Sequence, residues 1–373
     1  MTMRAVVVSS FDLRRVNGGT LRVLAIAASL RRLGWDVLEV CPEDQSLTST
    51  SGSSQTPGRQ YVPGQPIGQR TWPKSIRAIK RVVAPLPTVS GSFDRRLLAA
   101  ATESAAGGDL LVVPFPLAAH IRTDTTLWVD FHDLNSRYAA REARYGAKHR
   151  ALGALIQARV FRHQEIRLAN RAAFVTAAGF VDAQDLDKRI EHRVIWMPTP
   201  VKVVKQSERD LYSRRAGMIA DFRYGPNIEA RKTLIKSWWP ILESEGWNLV
   251  IAGHDSTRGP TPRGVESLGY IESPHDFYER IDISLAPLRL GGGIKVKVIE
   301  SLGYGVPMIA SPFAVEGLRN PEAAGVFVAA STDDLRRHLK AIVGARQDIV
   351  LPWEYSHDAI DSAVSEMLGE DFK

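Results

Sequence analysis

From Ala286 to Glu300 the chain reads Ala-Pro-Leu-Arg-Leu-Gly-Gly-Gly-Ile-Lys-Val-Lys-Val-Ile-Glu, and Gly305, Val306 and Pro307 follow shortly after. The order predicts a strand, a glycine-rich loop, a helix, a cap and a further strand. Helix starts carry unpaired N–H groups and the positive end of the helix dipole, and glycines let a bulky anion approach the backbone. Gly291, Gly292, Gly293 and Lys295 therefore form a candidate phosphate seat. Lys297 and Glu300 stand three apart and share one helix face, a cation for phosphate beside an acceptor for hydroxyls. Ile294, Val298 and Leu302 recur every fourth residue and are expected to bury the opposite face. A diphosphate next to ribose hydroxyls suits this pairing. The alternative is an ordinary amphipathic helix with solvated lysines. Neither G-x-x-x-x-G-K-[ST] nor G-x-G-x-x-G occurs here.

Two further groups of residues carry chemistry. Leu127 to Phe131 reads as a strand, with Asp130, His132 and Asp133 massed at its carboxyl end, where parallel sheets meet their ligands. His132 is a candidate donor whose tautomer Asp133 or a backbone carbonyl would fix, and Asp130 or Asp133 is a candidate base for an acceptor hydroxyl. The other reading of Asp133 is a helix cap. Near the N-terminus, Asn17-Gly18-Gly19-Thr20 places small residues after the first strand, as a ligand loop or as a plain tight turn. The nine histidines show no metal-ligand spacing, so no metal and no cofactor are expected.

The elements that must position these groups alternate in type, as in a doubly wound α/β sheet. Candidate strands in the first half are 4–9, 36–40, 110–115, 127–131, 173–176 and 194–197, and Leu21 to Leu33 has helical periodicity ending at Gly34. Residues 43–69 are rich in Ser, Thr, Gly, Gln and Pro and lack any hydrophobic period, which predicts a mobile loop, either an acceptor lid or disordered. A second series of strands is expected at 217–220, 248–252, 265–268, 283–286, 308–311 and 326–329. The pattern divides the chain into residues 1–200, residues 201–352, and a terminal helix within 353–373.

The chain has 373 residues, 44% hydrophobic and 24% charged, values typical of two globular domains. No apolar run is long enough to span a membrane, and the start lacks the features of a signal peptide. With one cysteine, Cys41, an internal disulfide is excluded and a cytoplasmic location is expected. Basic residues concentrate in the first half, above all at 70–96 and 141–171. These stretches mix arginine with apolar residues at helical spacing, as an interfacial helix on anionic lipid does, and as a core helix with a solvated arginine face also does. Aromatic residues are too sparse among them to suggest nucleic acid.

The residues Gly291 to Gly293, Lys297, Glu300, Gly305 and Pro307 resemble the G-G-x-x-K-x-x-E-x-x-x-x-G-x-P signature of the GT-B glycosyltransferases of the group-one, largely retaining, family-four type. Gly225-Pro226-Asn227, Ile251-Ala252-Gly253 and Leu268-Gly269-Tyr270-Ile271 extend the likeness across about 215–320. One departure is Gly292, where many members carry a second glutamate. The resemblance implies two Rossmann-like domains facing a central cleft, the first (1–200) binding acceptor and the second (201–352) binding a UDP-, GDP- or dTDP-sugar. It further implies a last helix that crosses back to the first domain. Lys297, with Lys295, Arg223 and helix amides, would stabilise the departing diphosphate. His132 would contact the donor sugar, Tyr270 and Ile271 would pass the base, and Gly18 and Gly19 would lie near the donor. The implied activity is metal-independent sugar transfer, with retention, to a lipid-linked glycan, a polysaccharide precursor or a soluble molecule, at the inner face of a membrane in the first case. Inverting transfer, a same-fold sugar-nucleotide epimerase and a non-catalytic binding scaffold are the alternatives.

Overall fold

The structure is a computed structural model that describes residues 2–15, 17–44, 56–63, 95–115, 117–146, 151–204, 213–259, 261–343 and 349–369. The chain folds into two compact units, one of residues 1–200 with 357–373 and the other of residues 201–356. The return to the first unit thus falls at 356/357, four residues later than the sequence pattern suggests. The turn Trp353–Tyr355 stays with the second unit, where the Tyr355 hydroxyl accepts from the Arg319 amide and its carbonyl accepts from the Val201 amide.

The first unit holds a seven-stranded, wholly parallel sheet in the order β3-β2-β1-β4-β5-β6-β7. Its strands are β1 (Arg4–Val8), β2 (Asp36–Glu43), β3 (Arg59–Pro63), β4 (Leu110–Pro114), β5 (Thr126–Phe131), β6 (Phe174–Ala177) and β7 (Ile195–Trp196). Its helices are α1 (Gly18–Arg32), α2 (Arg95–Ala105), α3 (Asn135–Tyr145), α4 (Ala151–Arg171) and α5 (Phe180–Asp187), to which the last helix of the chain adds itself. Side chains alternate across each strand. Val6, Val8, Leu111, Val113, Val129 and Phe131 build one core with α2, α4 and α5. Ala5, Val7, Val37, Cys41, Val112 and Trp128 build the other with α1 and with Ile360, Val364 and Met367 of the last helix. Both faces are covered, which is why the strands read as continuous apolar runs.

One expectation fails here. Strand β3 lies inside 43–69, at the edge of the sheet beside β2. Polar side chains hold it: buried Glu39 of β2 pairs with both Arg31 and Arg59. An edge strand fixed by an ion pair carries no hydrophobic period to detect. The rest of that segment, 45–55 and 64–69, lies outside the described residues, as does most of the basic stretch 70–96.

The second unit repeats the plan with six parallel strands in the order β10-β9-β8-β11-β12-β13. They are β8 (Arg215–Ile219), β9 (Asn248–Ala252), β10 (Val265–Gly269), β11 (Ile283–Ala286), β12 (Met308–Ala310) and β13 (Val326–Val328). Helices α6 (Gly225–Thr233), α7 (Trp239–Ser244), α8 (Pro274–Tyr278), α9 (Val296–Gly303) and α10 (Thr332–Ile342) connect them, before α11 (His357–Gly369) closes the chain in the first unit. Strand order reverses between β8 and β11, the switch point at which such sheets bind ligands beyond the carboxyl ends of their strands. Gly253 sits at the end of β9 with φ +115°, and a Cβ there would lie 2.0 Å from the Ala220 carbonyl oxygen, so only glycine lets the two chains meet.

Candidate active site

In the second unit two helix starts converge at this switch point. After β8, the loop 220–224 leads into α6, which has Pro226 in its first turn, where a missing N–H costs nothing. After β11, the glycine-rich loop leads into α9 with Lys295 at its N-cap. Lys297 Nζ spans the two, donating to Asn227 Oδ1 at 2.9 Å. One ammonium, two helix N-termini and the amides of the glycine-rich loop therefore concentrate positive potential on one side of the sheet.

Burial among these groups pushes the Lys297 ammonium down to about 8, with Lys295 adding repulsion and Glu300 opposing the shift. The cation survives at neutral pH but is poorly solvated, which favours an anionic ligand that replaces water. Glu300 accepts from the Tyr278 hydroxyl at 3.2 Å. Burial raises its carboxyl above the ordinary value, while that hydrogen bond and Lys297 pull it back. Tyr278 is fully buried and stacks on Tyr304 at 4.6 Å between ring centroids, so the glutamate rests on a rigid aromatic base. Lys297 and Glu300 are both partly buried, on the face opposite buried Val298 and Leu302.

Other expected ligands are placed differently from the sequence picture. Lys295 folds back on its own loop, donating to the carbonyls of Gly292 and Gly293. It clamps the glycine turn rather than standing beside Lys297 as a second free cation. Gly291 and Gly293 take φ of +120° and +59°, and a Cβ on Gly291 would press on the Lys295 chain at 3.2 Å. Ile294 belongs to this loop and is only partly buried, against Gly317. Arg223 is exposed and makes a two-pronged pair with Asp221, at 2.9 and 2.7 Å. Tyr270 is 61% exposed and stacks on His254 at 4.3 Å, with Ile271 half-buried beside it. This forms an aromatic ledge at the ends of β9 and β10.

The first unit presents a separate cluster around the end of β5. Asp130 is buried and takes a bidentate pair from Arg22 of α1, at 2.7 and 2.6 Å, plus a hydrogen bond from the Thr176 hydroxyl at 2.6 Å. Trp128 Nε1 donates to that hydroxyl, and Arg22 also donates to the Met197 carbonyl. Although burial opposes it, the Arg22 charge holds the Asp130 carboxyl far below the usual carboxylate range. Asp130 therefore cannot serve as the acceptor's base, contrary to one expectation: its oxygens are occupied and it will not take a proton. It is also Asp130, not Asp133, that adjoins the histidine, with His132 Nε2 3.2 Å from Asp130 Oδ2. Residues two apart at a strand end share a face, whereas Asp133 has already left the strand.

Asp133 is half-buried and is not the N-cap of α3; that position is Leu134, which has no side-chain cap. The first turn of α3 is instead satisfied by buried Glu165 of α4, which accepts from the Ser136 amide at 2.9 Å and from its hydroxyl. Gly18 and Gly19 also differ from the expected loop. They form the first turn of α1, capped by Asn17 in a reciprocal arrangement with Thr20, and Phe11 lies close over Gly19.

Sequence reasoning missed Arg22, Thr176, Tyr278, Tyr304 and His254. None carries a local signal, because each acts through a partner 16 or more residues away in the chain. Asn227 was visible in its motif but not as the partner of Lys297. Among the described residues no group of His, Cys, Asp or Glu is disposed to hold a metal ion, and no helix is long and apolar enough to cross a membrane.

Two doubly wound parallel sheets, with the last helix returned to the first unit, define the GT-B fold, and solved GT-B structures match nearly the whole chain. Sucrose-phosphate synthase from Thermosynechococcus elongatus superposes with a TM-score of 0.70 at 14% identity, covering 99% of both chains. Anabaena HepE in complex with UDP and glucose gives 0.61 at 12% identity, covering 99% of this chain and 100% of that one. HepE in complex with UDP-glucose gives 0.61 at 14% with the same coverage. No curated protein sequence matches the chain. Residues 213–344 match the family model described as glycosyl transferases group 1. That stretch contains Arg223, Asn227, Tyr270, Lys297 and Glu300, and the likeness to the solved structures shows the GT-B fold.

Proposed function

We propose that the protein transfers a sugar from a nucleoside-diphosphate sugar to an acceptor, with retention of anomeric configuration. The observation that carries this reading is the Lys297–Asn227 bridge between two helix starts, with Glu300 one turn further along α9. The diphosphate lies over the starts of α6 and α9, held by Lys297 and the amides of the glycine-rich loop, while Glu300 accepts from ribose hydroxyls. The ledge of Tyr270 and His254 offers a π-face to the nucleobase. As the glycosidic bond breaks, negative charge grows on the leaving diphosphate, and a preorganised cation stabilises it most at that moment.

Retention agrees with the chemistry at the end of β5. Asp130 is locked to Arg22 and is not available as a base, and on a retaining path none is needed, because the acceptor proton passes to the departing diphosphate. The presence of UDP, glucose and UDP-glucose in the HepE structures supports a uridine donor as the first to try. The acceptor is a lipid-linked or polysaccharide precursor, or a soluble molecule. A thermal-shift screen of UDP-, GDP- and dTDP-sugars, followed by transfer to an acceptor panel and NMR of the product anomer, tests the reading. Release of nucleotide that depends on acceptor, with the anomer retained, is expected. Conversion of the donor without any acceptor would instead make the protein an epimerase.

A further inference from the structure

The antiparallel helices α3 and α4 leave an apolar surface uncovered. Leu152 is 71% exposed, Leu155 44% and Ile156 39%, and they lie on one face of the first turns of α4. The same stripe continues through exposed Arg159 and His163, flanked by exposed Arg162 and Arg167. At the facing end of α3, exposed Arg144 stacks over the Tyr145 ring at 5.2 Å. Residues 135–171 contain nine Lys and Arg against two Asp and Glu; Arg144, Arg159, Arg162 and Arg167 are exposed, whereas Arg137 pairs with Asp182 and Arg171 donates to backbone carbonyls. The two acids do not offset that surface, since Glu165 is buried and Glu142 is half-buried.

We propose that this helical hairpin docks on an anionic lipid bilayer, with Leu152, Leu155 and Ile156 entering the headgroup boundary and Arg144, Arg159, Arg162 and Arg167 meeting the phosphates. Aliphatic side chains beside arginines suit a bilayer, whose interface takes apolar groups and cations together. RNA would call for stacking aromatics, which this face lacks apart from Tyr145. A second copy of the chain would bring the same positive charge against itself. The inference does not depend on the transfer reaction, because it rests on exposure and charge in the first unit alone.

Cosedimentation with phosphatidylcholine vesicles, with and without phosphatidylglycerol, tests it on the full chain. Wild type should partition to the anionic vesicles at least about tenfold more than to the neutral ones, with the preference reduced at high salt. The combined Leu152→Gln, Leu155→Gln and Ile156→Gln variant should lose about tenfold or more of that partition, and so should Arg159→Gln with Arg162→Gln. Both sets change exposed positions, and an unaltered Tm together with unaltered nucleotide binding verifies folding. The proposal fails if wild type does not bind anionic vesicles or binds both kinds equally. It fails also if the apolar variant partitions like wild type, which marks a site for soluble polyanions, or if that variant disperses a dimer formed without lipid.

Discussion

Raising the pH through 8 should strip the proposed diphosphate site of its cation, and the size of the effect follows from the surroundings of Lys297. Burial holds the ammonium at about 8 in the free protein, whereas a bound diphosphate would draw it back toward the ordinary lysine value of about 10.4. Between those limits the ligand must bring a proton with it. Affinity therefore falls by a factor that approaches tenfold for each unit of pH above 8, or roughly fifteenfold between pH 8 and 9.5. The diphosphate contributes little to this slope, since its last proton is lost near pH 6. Without ligand the sign for folding is opposite: a lysine depressed in the folded state binds fewer protons than in the unfolded chain, so stability rises with pH above 8. Isothermal calorimetry with the nucleoside diphosphate that binds best, at several pH values from 7 upward, measures the slope. Lys297→Met should flatten it and weaken binding at pH 7 by about 10- to 100-fold, the worth of a charge-assisted hydrogen bond. An affinity that stays level across this range in wild type would refute the reasoning.

Glu300→Gln should weaken binding of the ribonucleotide more than of its 2′-deoxy analogue if the carboxylate accepts from ribose hydroxyls, and calorimetry with the matched pair reads the difference. Arg22→Met strands Asp130 without its counter-charge and should destabilise folding by about 3–5 kcal/mol, seen as a lowered midpoint in urea. Adding Asp130→Asn should return part of that loss. Burial raises the Glu165 carboxyl to about 7, with Asp133 and Asp182 adding to the shift. Its proton is bound more tightly folded than unfolded, so the stabilisation is complete below about pH 4.5 and is lost as pH rises toward 7, up to about 3 kcal/mol in all. Urea melts of Glu165→Gln should show a flatter decline over that window.

Both sheets and the α9 signature were legible because buried parallel strands are apolar throughout and because a glycine-rich loop before a helix has few other uses. The chain could not announce β3, whose register depends on an ion pair between Arg59 and Glu39 rather than on periodicity. Nor could it separate the roles of neighbouring polar residues. Asp130 and Asp133 look equivalent in sequence, yet Arg22 from a helix 108 positions away fixes the charge of one. Lys295 and Lys297 likewise look like a pair. Two residues along a helix start they turn apart, one to its own loop carbonyls and the other to Asn227. Such distinctions arise from partners distant in the chain, so they become visible only once the sheet order is known.

The central claim is that the Lys297 and Asn227 bridge at the β8–β11 switch point is where a pyrophosphate sits. Calorimetric titration of wild type and Lys297→Met with a nucleoside diphosphate and with the bare nucleoside tests it directly. A pyrophosphate held there makes the diphosphate bind far more tightly than the nucleoside in wild type, and that advantage collapses in the variant while nucleoside affinity is kept. An advantage of equal size in both proteins would contradict it.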